Sequence, residues 1–294
     1  MSGLKWTRKT TEKIAAELRI AGISVSANTV GRLLKQLGYR LRTNEKKIAR
    51  CSPADRDTQF QRIAELRQSF AAKGSPILSI DTKKKEQVAL FKNAGKEWAL
   101  ERRAVRDHDF PSEAKGVAIP YGLYLPIPNV GMVFVGTSHD TPEFAVDCIE
   151  SWWRLDGRDR FPSHDHLLIL ADSGGSNGYR CRAWKYFLQH NLGNPHHLTV
   201  TVAHYPSGAS KWNPIVHRLF SEISKNWAGI PLESYETILN FIGTTTTKTG
   251  LRVQSTLSQK EYKTGLKITK KQMTSLSIEV SATLPKWNYT IRPH

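Results

Sequence analysis

Apolar residues fall at helical spacing in the first quarter of the chain and in short continuous runs further on, so two kinds of structure are predicted in succession. In TTEKIAAELRIAGISVSANTVGRLLKQLGYRLR, Ile14, Ala15 and Leu18 share one face of a helix that Thr10 or Thr11 can cap and Gly22 ends. A second helix starts after Ser26, carries Val30, Leu33, Leu34 and Leu37, and stops at Gly38. Two short helices joined by a tight turn match the helix-turn-helix plan, whose second helix enters the major groove of DNA. Thr29, Arg32, Lys35 and Gln36 are then the side chains available to the DNA. In PADRDTQFQRIAELRQSFAA, Phe60, Ile63, Leu66 and Phe70 form one stripe of a connector helix opened by Pro53 at its first position.

The pattern then changes. PILSIDTKKKEQVALF predicts a strand, YGLYLPIPNVGMVFVGTS two strands around a Pro-Asn turn, HLLILADSGGSNG a buried strand running into a glycine-rich loop, and LTVTVAHYP a further strand. PEFAVDCIESWWRL, RAWKYFLQH and NPIVHRLFSEISKNW read as helices between and after them. The fold class expected is therefore α/β, a mixed sheet with flanking helices, preceded by a small helix-turn-helix, winged-helix-like domain. The boundaries expected are 1–50 for the DNA-binding domain, 51–75 for the connector, 76–243 for the α/β domain and 244–294 for a C-terminal extension of short mixed elements.

Composition narrows the partners. The chain has 294 residues, 39% of them apolar, and a formal net charge of +17. Such a charge favours polyanions, because each phosphate neutralised by Lys or Arg releases a counterion. The excess is steepest in residues 1–50, where 12 Lys and Arg face 3 acids. The three cysteines, Cys51, Cys148 and Cys181, show no C-x-x-C spacing, which argues against a zinc knuckle and a disulfide framework and fits a reducing cytosol. No apolar run nears the roughly 20 residues of a membrane span, and the start MSGLKWTRKT is no signal peptide, so a cytoplasmic protein without membrane contact is expected.

Two acids end apolar runs: Asp81 follows ILSI and Asp172 follows LLILA. The C-terminal edges of strands in an α/β sheet are where ligands bind. Carboxylates gathered there repel one another unless a cation intervenes, and hard oxygen donors favour Mg²⁺ or Mn²⁺. The chemistry suggested is in-line attack at phosphorus between two metals. The loop DSGGSNG matches neither G-x-x-x-x-G-K-[ST] nor G-x-G-x-x-G, so it reads as a tight turn away from Asp172, with Ser176 or Asn177 capping the next helix. His108, Asp107 and Asp109 read as a solvated turn, and the histidines lack metal-ligand spacing.

SIDTKKKE, DHDFPS, PYGLY, VGTSHDTPEFAV, LLILADSGGSNG, HYPSGASKWNPI-HRLFS, NWAG-PL-SYET and KWNYTIRP together resemble the ISAzo-type group of bacterial insertion-sequence DDE transposases, over essentially the whole chain from residue 2 onward. The resemblance implies an RNase H-like catalytic domain, a helix-turn-helix region for the terminal inverted repeats of a transposon, and Mg²⁺ (or Mn²⁺) held in a two-metal site. It also implies strand cleavage and transfer into target DNA by a homo-oligomer assembled on DNA. Family members carry further sequence before the segment matching MSGLKWTRKT, and this chain reads as lacking it. Asp81 and Asp172 match the first two acids of the triad and its metal ligands; Lys83, Lys84, Lys211, Trp212 and Arg218, beside the matched motifs, are DNA-contact candidates.

The third acid does not match. Where the family motif resembles K-W-N-P-I-E-H-R, this chain has Val216 at the glutamate position. With Asn213 as N-cap and Pro214 at the first helical position, residue 216 belongs at the helix mouth. Glu222 lies roughly 9 Å further along the axis and about 120° around it, and His217 is turned by about 100°. Glu86 and Glu113 are the other acids to place. The expectation is a transposase impaired in catalysis; the alternative is a non-catalytic DNA-binding protein, a repressor or competitor of an intact transposase.

Overall fold

The computed structural model describes residues 9–41 and 54–294; the expectations that fall on residues 1–8 and 42–53, Pro53 as a first helical residue among them, lie outside it. The chain divides into two units, 1–50 and 51–294. In the first, α1 (Thr11–Ile20) is capped by Thr10, whose side chain accepts from the Lys13 N–H, and α2 (Ala27–Gln36) by Ser26, which accepts from the Thr29 N–H. Gly22 and Gly38 take φ of +82° and +85°, the left-handed conformation that ends a helix without a Cβ penalty. Ala15 and Val30 are the buried residues of the pair.

In the second unit α3 (Arg56–Ala72) leads into one sheet. Its strands are β1 (Ile77–Thr82), β2 (Glu86–Gln87), β3 (Val117–Leu125), β4 (Val130–Gly136), β5 (His166–Ala171), β6 (Thr199–His204), β7 (Arg252–Ser258), β8 (Ile278–Val280) and β9 (Asn288–Ile291). Their order is β7-β4-β3-β1-β5-β6-β9-β8, with β2 paired to β3 alone. β1, β5 and β6 run parallel, and β3 is antiparallel to both β1 and β4. β4 therefore runs in the direction of β1, and all four strands end at one edge. This mixed sheet, β4-β3-β1-β5-β6 at its centre, is the RNase H-like arrangement.

Residues 244–294 are woven into that sheet. β7 extends it beside β4, in parallel, while β9 and β8 extend it beyond β6, antiparallel. β7 is an edge strand whose burial alternates, so RVQSTLS shows no continuous apolar run.

Strand alternation gives the sheet two apolar faces. Leu78, Ile80, Ile119, Tyr121 and Leu123 pack on one side with Phe144, Ile149 and Trp152 of α4 (Pro142–Trp152). On the other, Tyr124, Val133 and Val135 meet Ile215, Leu219, Phe220 and Ile238, while Leu168, Leu170 and Ala203 meet Ile63 of α3. Each of the three long helices predicted after β4 contains a π-helical turn, at Trp153–Gly157, Leu188–Gly193 and Val216–Phe220.

Candidate active site

The register of β1 on β5 pairs Ser79 with Leu170; carried two residues on, it sets Asp81 beside Asp172 at the shared C-terminal edge. Both carboxylates are fixed by backbone donors. Asp81 Oδ1 accepts from the Thr82 N–H at 2.8 Å, and Asp172 Oδ1 accepts from the Gly174 N–H at 2.7 Å. Burial, followed by the nearby Asp172 charge and a smaller contribution from Asp140, pushes the Asp81 carboxyl up to about 7, against the Thr82 N–H, which favours the anion.

Asp140 was not singled out from the sequence. It follows β4 at the same sheet edge and sits before Thr141, the N-cap of α4. Thr82 Oγ1 lies 3.4 Å from its Oδ1. The rule that an acid closing an apolar strand marks the ligand edge would have found it, but Thr-Ser-His separates it from VGMVFVG and Asp-Thr-Pro reads as a helix start. Asp81, Asp140 and Asp172 line one open cleft of about 320 Å³ with Thr82, Lys83, Lys84, Lys85, Gly174, Gly175 and Asn177. Among the described residues, no three His, Cys, Asp or Glu side chains are grouped closely enough to hold a metal together. Asp81 and Asp172 are the two carboxylates set beside each other at this edge.

The glycine-rich loop departs from its sequence reading. Gly175–Asn177 form a 3-10 turn, and neither Ser176 nor Asn177 caps the helix Arg182–Phe187, which lacks a side-chain cap. Gly175 has φ of +68°, and a Cβ on Gly178 would stand 3.2 Å from the Ser173 carbonyl oxygen, so the turn folds tightly against its own start.

Asn213 stands at the N-cap position, directly before Pro214 as the first helical residue, but its side chain makes no capping bond to its own helix. Its fully buried side chain reaches back to β1: Nδ2 donates to the Ile80 carbonyl at 3.1 Å, and Oδ1 accepts from Ser79 Oγ. Ser79 Oγ in turn accepts from the Ile215 N–H at 3.1 Å. This clamp fastens the chain before Val216 to the strand that carries Asp81. Gly122, the β3 partner of Asp81, completes the approach: a Cβ there would meet Phe220 at 2.5 Å and Ile215 at 2.9 Å. Val216 itself is half-buried, packs on the apolar cluster of Ile215 and Leu219, and does not line the cleft.

None of the other acids considered enters the cleft. Glu222 pairs with Lys225 at 2.7 Å, Glu86 with Lys83 at 2.9 Å, and Glu113 with Arg106. His217 is turned to the Lys211 carbonyl through Nε2. Of the predicted DNA contacts, Arg32, Lys35 and Gln36 are exposed on α2, while Thr29 is half-buried and shares a 3.0 Å hydrogen bond with Ser26. Lys84 and Arg218 are exposed. Lys83, though it lines the cleft, is buried, its ammonium engaged by Glu86 and stacked 4.3 Å over the Trp227 ring, and burial lowers its pKa. Trp212, 45% exposed, is held between Lys211 at 4.2 Å and Arg56 at 4.7 Å.

A buried polar chain supports the strand end that carries Asp172. His204 Nδ1 donates to the Asp172 carbonyl oxygen at 2.8 Å, and its Nε2 lies 3.1 Å from the Tyr289 hydroxyl, which accepts from Trp184 Nε1 at 2.9 Å. Burial holds the ring neutral, pushing its pKa down to about 4, so Nε2 accepts the Tyr289 proton. The terminal KWNYTIRP motif thus reaches the site through Tyr289 of β9.

Three solved structures resemble the fold only loosely. They are the Mos1 transposase paired-end complex with left transposon end (15% identity, TM-score 0.48, covering 80% of this chain and 65% of that one), the Mos1 mariner paired-end complex with Mn (14%, 0.46, 80% and 65%) and a pre-cleavage Mos1 transpososome (14%, 0.48, 80% and 66%). The match thus spans about 65% of the length of those proteins. No curated protein sequence matches the chain. Among the described residues no helix is long and apolar enough to cross a membrane. Residues 1–293 match the family described as Rhodopirellula transposase DDE domain, and the chain belongs to that family.

Proposed function

We propose that the chain acts on DNA as a DDE transposase, cleaving and joining phosphodiester bonds at transposon ends with a divalent cation, and that Val216 in place of the third acid leaves this activity impaired. The observation that carries the reading is the meeting of Asp81 and Asp172 at the ends of adjacent parallel strands, with the Asp81 carboxyl pushed up to about 7. Two hard-oxygen donors whose mutual repulsion is unrelieved fit Mg²⁺ or Mn²⁺, which would activate the attacking oxygen and stabilise the leaving one.

The chain's own residues divide the remaining work. Asp81 and Asp172 would hold the cation, their orientation fixed by the Thr82 and Gly174 N–H groups. Lys84 and Lys85, exposed at the cleft, neutralise the DNA backbone, and Lys211, Trp212 and Arg218 lie on the segment that carries residue 216. Residues 1–50 supply the helix-turn-helix for the terminal inverted repeats, with Arg32, Lys35 and Gln36 facing the groove; 51–75 connect, and 76–243 house the acids. A homo-oligomer on DNA brings two transposon ends together.

The test is nicking of the chain's own transposon ends in Mg²⁺ and Mn²⁺. Weak or absent nicking by the chain, restored at least 100-fold by Val216→Glu, is expected; that factor is about 2.7 kcal/mol of barrier. Vigorous nicking without the substitution refutes the impairment. Protection of the inverted repeats without nicking in either form favours the repressor or competitor reading, for which the valine is the motivating observation.

A further inference from the structure

We infer that a second cleft, walled by Ser173, Arg180 and Ser207, binds a backbone phosphate of the DNA strand that crosses Asp81 and Asp172, and that it does so without a metal. The inference rests on the proposed DNA-cleaving function and adds a subsite beside the acids. This open cleft of about 320 Å³ has Ser173, Gly174, Gly175, Tyr179, Arg180 and Ser207 among its walls. Gly174 and Gly175 also line the cleft of the aspartates, so the two clefts adjoin across an exposed pair that has no side chain to bar a passing strand. Asp81 closes β1, Asp172 follows the neighbouring β5, and Ser207 follows β6, the next strand out. Positive charge thus stands on both sides of the carboxylates, at Lys84 and Lys85 after β1 and at Arg180 in the second cleft.

The two clefts differ in what they attract. No carboxylate walls the second one, and its charged group is a guanidinium. Arg180 is exposed and forms no ion pair among the described residues. Its Nε donates to the Tyr179 hydroxyl at 2.9 Å, and its guanidinium carbon lies 5.2 Å from the centre of that ring. Tyr179 is itself braced edge-on against the rings of His204 and Trp287. Anchored through Nε, the guanidinium keeps its two terminal nitrogens for the paired oxygens of a phosphate. The Ser173 and Ser207 hydroxyls lie 3.2 Å apart, so one donates to the other and a single O–H remains to donate outward. These donors attract an anion unaided, whereas the aspartates attract one only when a cation lies between.

The experiment uses the full chain and a duplex bearing the inverted repeat that flanks its gene, with single phosphates near the repeat end replaced in turn by neutral methylphosphonates. Fluorescence anisotropy at constant salt reads the affinity, first in EDTA and then in Mn²⁺. In EDTA, one methylphosphonate position is expected to weaken binding about tenfold, the effect of losing a charge-assisted hydrogen bond. Arg180→Gln should bind the all-phosphate duplex about tenfold more weakly in EDTA, be indifferent to the methylphosphonate at that position, and show a salt slope smaller by about one. Arg182→Gln removes the same charge from an exposed arginine outside the cleft and should keep the sensitivity. A neighbouring position should matter only in Mn²⁺ and lose its effect in Asp172→Asn, marking the phosphate at the acids. No sensitive position in EDTA, sensitivity retained in Arg180→Gln, or sensitivity lost equally in Arg182→Gln reduces Arg180 to diffuse surface charge. Each of these overturns the inference while leaving the transposase reading intact. Failure of the full chain to prefer the repeat over an unrelated duplex overturns both.

Discussion

Cutting the clamp between β1 and the Val216 segment should loosen the site more than the size of the side chains suggests. Asn213→Ala deletes two buried hydrogen bonds, from Nδ2 to the Ile80 carbonyl and from the Ser79 hydroxyl to Oδ1. At about 1 kcal/mol each, with a small cavity added, the loss comes to about 2–4 kcal/mol. Ser79→Ala removes the shared Asn213 bond and the acceptor of the Ile215 N–H, leaving two buried groups unpaired, about 2–3 kcal/mol. Because one bond is common to both variants, the double variant should cost less than the sum, with a coupling of about 1–2 kcal/mol. Urea unfolding of the four proteins measures it. In the Val216→Glu background, Asn213→Ala should also abolish the gain in nicking, since the new carboxylate would no longer be held. Additivity of the two single losses to within about 0.3 kcal/mol, or a nicking gain that survives Asn213→Ala, refutes the clamp.

Gly122→Ala should destabilise the chain by about 1–3 kcal/mol in the same assay, because the added Cβ would overlap Phe220 and Ile215; an unchanged midpoint refutes this close packing. Tyr205 gives a pH prediction. Burial raises its hydroxyl from 10.0 to about 12, so the folded state favours the neutral form; that stabilisation is complete below pH 10 and lost as pH rises through 12. The two-unit difference is worth about 2.7 kcal/mol at most. Tyr205→Phe should therefore lose less stability than the parent between pH 9 and 11, and parallel losses refute the assignment.

The legible parts of the sequence were those set by local rules. Thr10 and Ser26 as caps, Gly22 and Gly38 as stops, and the runs ILSI and LLILA as core strands are each a short-range consequence of backbone chemistry or patterning. Partnerships across long separations were not legible. Asn213 looked like a cap because Asn-Pro commonly opens a helix, but its amide is used 133 residues away on Ile80. Residues 244–294 read as a C-terminal extension of short mixed elements; that β7, β8 and β9 join the sheet was not legible, because edge strands do not need a double-sided apolar pattern. Lys83 read as a DNA-contact candidate beside a matched motif; that the Trp227 ring and Glu86 engage its ammonium was not legible, because Trp227 comes from a distant element. The ends of two apolar runs singled out Asp81 and Asp172 as a pair, which the family resemblance then matched to two acids, while Asp140 and the place of Asn177 in the cleft emerged only when strands and loop were brought to one edge.

If residue 216 stands where the proposed third acid would, its contrast with the two aspartates accounts for a fold that does not depend on that acid. Asp81 and Asp172 each accept a backbone N–H, so removing either carboxylate would strip that donor of its partner as well as the site of its charge. Position 216 has no such debt. Its own N–H goes to the Asn213 carbonyl at 3.1 Å, and its side chain faces the apolar cluster of Ile215 and Leu219. A glutamate there would have to be half-desolvated against the apolar cluster, a cost that burial of the charged form imposes unless it is paired. Valine removes that cost and adds apolar contact. On the proposed reading, Val216→Glu should therefore lower the stability measured without metal and raise the nicking measured with it.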